Sequence, residues 1–269
     1  MQRGDRVLVV RAGALGDFIL TLPLLCALRA TARHLSLVTR GRYRPLLPVP
    51  VDSFTDIDGP GALWLFGGAA PPGPLPERAV VAVPGAGDAL RARGVAVTEL
   101  APRPPPGVHA VDHLLSAVAG PPPGCRAPWL PPVPPAAAAR GRVVLAPGAG
   151  AANKRWPGWA DLAAHLHARG VDTLVVPGQD EAPPELPGPG VPAPSLEGLR
   201  ALAAGCAAWV GNDTGTTHLA AAQGARVFAA FGPTAADNWA PRPGEVFPFA
   251  ADPRAVADRI CAAGLRTGS

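Results

Sequence analysis

The residues Gly211-Asn212-Asp213-Thr214-Gly215-Thr216-Thr217-His218-Leu219-Ala220-Ala221-Ala222 decide how this chain is read. They follow the apolar stretch 208–210 and open into an alanine-rich segment, the order strand, turn, helix. Small residues let the backbone turn sharply, hydroxyls and unpaired amides point outward, and the start of the helix favours an anion. Such a turn is suited to phosphate. A second turn of the same build, Arg11-Ala12-Gly13-Ala14-Leu15-Gly16-Asp17, follows the β-rich run 7–10 and carries an acid where the first carries hydroxyls. Two mouths of opposite chemical character predict two domains facing each other, one reading an anionic donor and the other supplying a carboxylate.

Outward from these turns, short apolar runs alternate with segments of helical period. Strands are expected at 7–10, 34–39, 51–57, 62–66, 79–83 and 95–100, with a helix after the first glycine turn in which Pro23 bends or restarts the chain. The proline-rich stretch 121–135 cannot be helix and would starve a central strand of donors, so it reads as a semi-rigid linker. A second alternation follows: strands at 143–146, 173–176, 208–210 and 226–231, with helices at 159–169, 196–204, 217–223 and 253–263. Strands separated by short helices imply parallel pairing. The expected architecture is therefore α/β, with two doubly wound domains spanning 1–135 and 136–269.

Composition narrows the function classes. The 269 residues are 48% hydrophobic, enough for two modest cores, and the 36 prolines and 32 glycines punctuate apolar segments instead of polar ones. The net charge of +4 is spread over scattered cations, which suits anionic small molecules or a loose touch on an acidic membrane surface better than nucleic acid. Aromatic residues make up only 5%, too few for a stacking platform. Cys26, Cys125, Cys206 and Cys261 show no C-x-x-C spacing and read as reduced thiols of a cytosolic protein. Met1-Gln2-Arg3-Gly4-Asp5 runs straight into a strand, so no leader is expected, and no apolar run reaches the ~18 residues of a membrane span.

The first turn, Gly13-x-x-Gly16-Asp17, is not the dinucleotide fingerprint, because a glycine and the later acid are missing. Asp17 is either a plain helix-start acid or a general base in a cleft. The loop 146–157 places glycines after a strand and then Lys154 and Arg155, which could neutralise a diphosphate or simply face solvent. Asp56-Ile57-Asp58 has the spacing of a metal-diphosphate pair but closes a period-two run, so solvent-facing acids are the preferred reading. His109 and His113 lie one helical turn apart without a third ligand, and an ordinary helix start is preferred there. His165 and His167 read as surface residues.

Taken together, Arg11 through Pro23, Pro147-Gly148 through Lys154-Arg155-Trp156-Pro157, and Val210-Gly211-Asn212-Asp213-Thr214-Gly215 with His218-Leu219-Ala220-Ala221 resemble glycosyltransferase family 9, the ADP-heptose:lipopolysaccharide heptosyltransferases. Gly224 through Thr234 and Trp239 extend the resemblance, with smaller echoes at Val38-Thr39-Arg40 and His109-Ala110-Val111-Asp112. The resemblance implies a GT-B architecture, two Rossmann-like domains facing a cleft, and inverting, metal-independent transfer from a nucleotide sugar. It makes Asp17 the general base and Lys154 the cation on the donor phosphates. Gly16, Gly148, Arg155, Asp213, Thr214, Gly215 and His218 become donor-binding residues. An acid after the strand ending Val176-Pro177 would hold the ribose, and Asp180 and Glu181 are equally eligible.

The chain is accordingly expected to be a cytoplasmic, monomeric enzyme, at most peripheral at the inner membrane, that uses no metal or other cofactor. Its donor would be an ADP-sugar with a heptose-like group. Its amino-terminal half is compact and shows few cations for a phosphorylated lipid core. The expected acceptor is therefore a hydroxyl on either lipopolysaccharide core or a small, secondary-metabolite scaffold. The alternatives are a nucleotide-sugar hydrolase and a non-catalytic nucleotide-sugar-binding or partner protein.

Overall fold

The computed structural model describes residues 4–68, 70–178 and 185–262, and divides into two compact units, Met1–Pro128 and Trp129–Ser269. The first unit contains β1 (Gly4–Val10), α1 (Leu15–Thr31), β2 (Ala32–Thr39), β3 (Ser53–Asp56), β4 (Arg78–Val81), α2 (Ala86–Arg91), β5 (Ala96–Glu99) and α3 (Ala110–Leu115). Its five strands are all parallel in the order β3-β2-β1-β4-β5. Leu8 and Val10 of β1 join a core with Trp64, Leu65, Ala86 and Leu90. Val7 and Val9 are equally buried on the opposite face. Both faces are thus covered, as an all-parallel sheet requires.

Helix α1 is buried almost all round, from Phe18 through Leu28, which is why its apolar residues show so little one-sidedness. It runs unbroken through Pro23, at the loss of the hydrogen bond that residue would give to the carbonyl of Ile19. The expected restart at Pro23 does not occur. The burial of Phe18, Ile19, Leu22 and Leu25, each at about 1.5–3 kcal/mol, outweighs one missing bond. The expected strand at 62–66 is instead a 3₁₀ segment, Pro60–Phe66. Pro60 opens it at the first helical position, where a missing N–H is no loss, and it closes on Gly67 with φ of 87°.

The second unit contains β6 (Val143–Ala146), α4 (Trp159–His167), β7 (Thr173–Val175), α5 (Leu196–Gly205), β8 (Ala208–Asn212), α6 (Gly215–Ala222), β9 (Val227–Phe231), α7 (Ala236–Trp239), β10 (Glu245–Pro248) and α8 (Pro253–Ala262). Its five parallel strands run β10-β9-β8-β6-β7. All five residues of β8 are buried, the pattern of a strand covered on both faces. One covering layer is α4 with α8, whose Leu162, Leu166, Val256 and Ile260 share a core with Val143, Val210 and Phe228. Residues 130–136 do not hang free. The Leu130 amide donates to Ala222 O at 2.8 Å, the Ala136 amide to Ala201 O at 2.8 Å, and Arg200 and Gln223 both donate to Pro131 O. The prolines lack donors but keep their carbonyls, and Arg200 of α5 and Gln223, just past α6, supply donors to that of Pro131.

Candidate active site

In each unit the sheet order reverses beside its first strand, between β1 and β4 and between β6 and β8. Open parallel sheets collect ligands beyond the carboxyl ends of the strands at such a reversal. In the second unit the two loops that flank it, β6 to α4 and β8 to α6, carry Lys154 and Asp213. The Lys154 Nζ donates to Asp213 Oδ2 at 2.7 Å, and His218 Nε2 lies 4.0 Å from Asp213 Oδ1. The lysine side chain is 35% exposed while the aspartate and histidine are 10% and 5% exposed, so the cation is the member that reaches solvent.

The start of α6 completes this corner. Thr214 enters the helix extended, at φ −142° and ψ 162°, and its hydroxyl does not cap the helix. That hydroxyl instead meets Thr216 Oγ1 at 2.9 Å and Thr217 Oγ1 at 3.1 Å. The amides of the first turn, including Gly215, therefore have no side-chain cap, the arrangement that receives an anion. Gly211 has to be glycine for a local reason: a Cβ there would sit 2.2 Å from Thr217 Oγ1.

Asn212, fully buried at the end of β8, locks the two loops together and was not singled out from the sequence as a site residue. Its Nδ2 donates to Pro147 O at 2.8 Å and Gly148 O at 3.2 Å, and its Oδ1 accepts the Trp156 amide at 3.0 Å. Trp156 is fixed in turn by its indole N–H on Phe249 O at 3.1 Å and by edge contacts with Trp159 and Phe247. Lys154 is thereby held from both sides of its loop. The signal available in sequence was a polar amide ending an otherwise apolar strand. Arg155, the second cation of the loop, is exposed at its rim.

At the other mouth, Asp17 occupies the first turn of α1, where its Oδ2 accepts the Ala14 amide at 3.0 Å and its Oδ1 accepts from Arg11 Nη2 at 2.8 Å. Arg11 is buried, and burial pushes its guanidinium below the ordinary value while Asp17 opposes that shift. The carboxylate itself is 28% exposed and has acceptor positions left over. Gly13, at φ 137°, passes so close that a Cβ would lie 2.7 Å from the Asp17 carboxylate. Tyr43 stacks on Phe18 with centroids 5.0 Å apart, and its hydroxyl donates to Gly13 O at 3.4 Å. Gly16 is half-buried in the same turn.

The remaining candidates resolve as local structure. Asp56 Oδ1 accepts the Gly41 and Asp58 amides, and Asp58 pairs with Arg40 at 3.5 Å, so this acid pair closes the turns after β2 and β3. His109 caps α3 by accepting the Val111 amide at 3.2 Å, and His113 Nε2 contacts Ala101 O at 3.0 Å. Among the described residues no cluster of three or more His, Cys, Asp or Glu could hold a metal ion. Nor is any helix there long and apolar enough to cross a membrane. Asp180 and Glu181, the two candidates for the ribose, lie outside the described residues.

The family model for glycosyltransferase family 9 (heptosyltransferase) matches residues 130–247, the stretch that holds Lys154, Asp213 and His218. Among solved structures, the chain is similar to the E. coli ADP-heptose lps heptosyltransferase II, with 18% identity and a TM-score of 0.70 over 96% of this chain and 98% of that one. It is also similar to the family 9 glycosyl transferase from Veillonella parvula, with 17% identity and a TM-score of 0.69 over 92% and 86% of the two chains. A third likeness is to the E. coli heptosyltransferase WaaC with ADP, with 17% identity and a TM-score of 0.67 over 96% and 100%. At such identities the likenesses establish the fold, two Rossmann-like units of GT-B type. No curated protein matches the sequence.

Proposed function

We propose that this chain, a glycosyltransferase with a family 9 domain in its second unit, moves a heptose-like sugar from an ADP-linked donor to a hydroxyl acceptor, with inversion and without a metal. The observation that carries the reading is Lys154, solvent-reaching and held by Asp213 beside the uncapped start of α6. On that reading Lys154 and the first-turn amides neutralise the donor diphosphate, together with Arg155, and Gly148 and Gly215 let the backbone approach it. Asp213, Thr214 and His218 then face the sugar and the inner phosphate. Asp17 takes the proton from the acceptor hydroxyl, whose oxygen attacks the anomeric carbon opposite the diphosphate as the bond to the leaving oxygen breaks. Asp180 or Glu181 holds the ribose.

A lysine and a helix start together supply the leaving-group stabilisation that a divalent ion gives elsewhere, which supports the metal-free reading. The ion-pairing of Asp17 with Arg11 orients a carboxylate that a solvated side chain would leave free to rotate. A lipopolysaccharide core and a small secondary-metabolite scaffold both fit the acceptor reading. The site of action is the cytoplasm or the inner face of its membrane, and the working form is a monomer.

The test is ADP release from ADP-heptose with and without candidate acceptors. Acceptor-dependent release that Asp17→Asn lowers on the order of 100-fold or more, with donor binding kept, supports the assignment. Release that needs no acceptor identifies the hydrolase, and binding without release identifies a non-catalytic partner protein.

A further inference from the structure

Two thiols that sugar transfer does not use meet inside the first unit. Cys26 lies on α1 and Cys125 ends the 3₁₀ turn Pro123–Cys125; 99 positions separate them, yet their sulfurs are 2.8 Å apart. Both are free thiols. A disulfide spans about 2.0 Å between sulfurs, so closure asks for a movement of less than about 1 Å, within reach of small side-chain rotations. Each partner is anchored. Helix α1 is embedded in the core and packs against the turn, and the Cys125 amide donates to Pro122 O at 2.9 Å.

We propose that Cys26 and Cys125 form a reversible dithiol–disulfide pair, closed by a hydroperoxide-class oxidant, that fastens the 123–125 turn to the helix bearing Asp17. Cys26, half-buried, is the sulfur an oxidant reaches, while Cys125 is buried and shielded behind it. Burial, then the contact with Cys26, pushes the Cys125 thiol up to about 11, so it waits protonated with its S–H directed at the Cys26 sulfur. In the first step the Cys26 sulfur attacks a peroxide oxygen, the O–O bond breaks, and water or an alcohol departs, leaving Cys26 as sulfenic acid. In the second, the Cys125 sulfur attacks the Cys26 sulfur, the S–O bond breaks, and hydroxide leaves as water with the Cys125 proton. Two thiols are oxidised and one peroxide is reduced.

The other two cysteines serve as an internal control. Cys206 is pushed up to about 12 by burial and donates to Ala203 O at 3.3 Å, and Cys261 packs against the core of the second unit. The pairing stands independently of the sugar-transfer reading, since it involves neither loop of the donor corner.

The experiment treats the full chain with hydrogen peroxide, removes the oxidant, and counts thiols under denaturing conditions alongside intact mass and peptide mapping. The wild type should fall from four thiols to two, become lighter by two hydrogens, and yield a Cys26–Cys125 linked peptide that dithiothreitol releases. A Cys206→Ser/Cys261→Ser variant, which leaves the pair untouched, should lose both of its thiols at a rate independent of protein concentration. Cys125→Ser should form no internal bond. Persistence of four thiols, loss only through chains joined to one another, or a bond mapped to another pair would overturn the proposal.

Discussion

Replacing Asn212 with alanine tests how the donor corner is built. The side chain is fully buried and its three hydrogen bonds tie β8 to the loop bearing Lys154. Alanine leaves the Trp156 amide and the Pro147 carbonyl without their partners. The Gly148 carbonyl is only partly enclosed and can turn to water. Two unsatisfied buried groups cost about 1–3 kcal/mol each, so the loss is about 2–6 kcal/mol, toward the lower end if water enters the vacated space. That is a large part of the ~5–15 kcal/mol stability of a typical domain. Urea unfolding followed by tryptophan fluorescence reads the right unit, because Trp129, Trp156, Trp159, Trp209 and Trp239 lie in the second unit and Trp64 in the first. The midpoint should fall by about 0.7 M or more at an unchanged slope, given slopes of about 1–3 kcal/mol per molar. ADP affinity should fall as well, because Lys154 loses its support. A midpoint shift too small to account for even one lost hydrogen bond would refute the locking role.

Three further perturbations separate the roles in the first unit. Gly13→Ala forces a Cβ into the Asp17 carboxylate at a φ that side chains rarely adopt; turnover should fall while ADP affinity, measured by calorimetry, stays unchanged. Arg11→Met should lower turnover about 10- to 100-fold, Arg11→Lys should recover part of it, and in an Asp17→Asn background Arg11→Met should cost nothing more; additive losses would make Arg11 merely structural. Asp52 is held below the ordinary carboxylate range, first by the Leu35 amide and then by Arg29. Its unfolded form thus binds a proton more readily than its folded form, and its contribution is present above the ordinary carboxylate value and lost as pH falls toward the folded one. Asp52→Asn should therefore flatten the acid side of the first unit's stability profile, as read by chemical denaturation across pH.

What the sequence disclosed was what local chemistry writes plainly. Continuous apolar runs such as 143–146 and 208–210 became strands because both faces of a parallel sheet need them, and the glycine turns at Gly13 and Gly211 sit where no larger residue fits. The same logic misread 62–66, where Ala62, Trp64 and Leu65 are buried from a 3₁₀ segment that begins on Pro60. It passed over β10, four residues ending on Pro248 whose pairing with β9 alone makes them a strand. Lys154, Asp213 and His218, singled out by motif and position, come together in the structure, with Lys154 and His218 both beside Asp213. The Asn212 lock and the Arg11–Asp17 pair were not legible, because each is a contact set by loop packing and neither follows from a residue's immediate neighbours.

The proposed donor corner lies at the start of α6, and calorimetric titration of ADP into the wild type and Lys154→Ala tests it most directly. Saturable binding to the wild type, weakened on the order of 10-fold or more by Lys154→Ala while the fold and the Asn212 lock persist, is the expected result. Equal ADP affinity in the two proteins would contradict it.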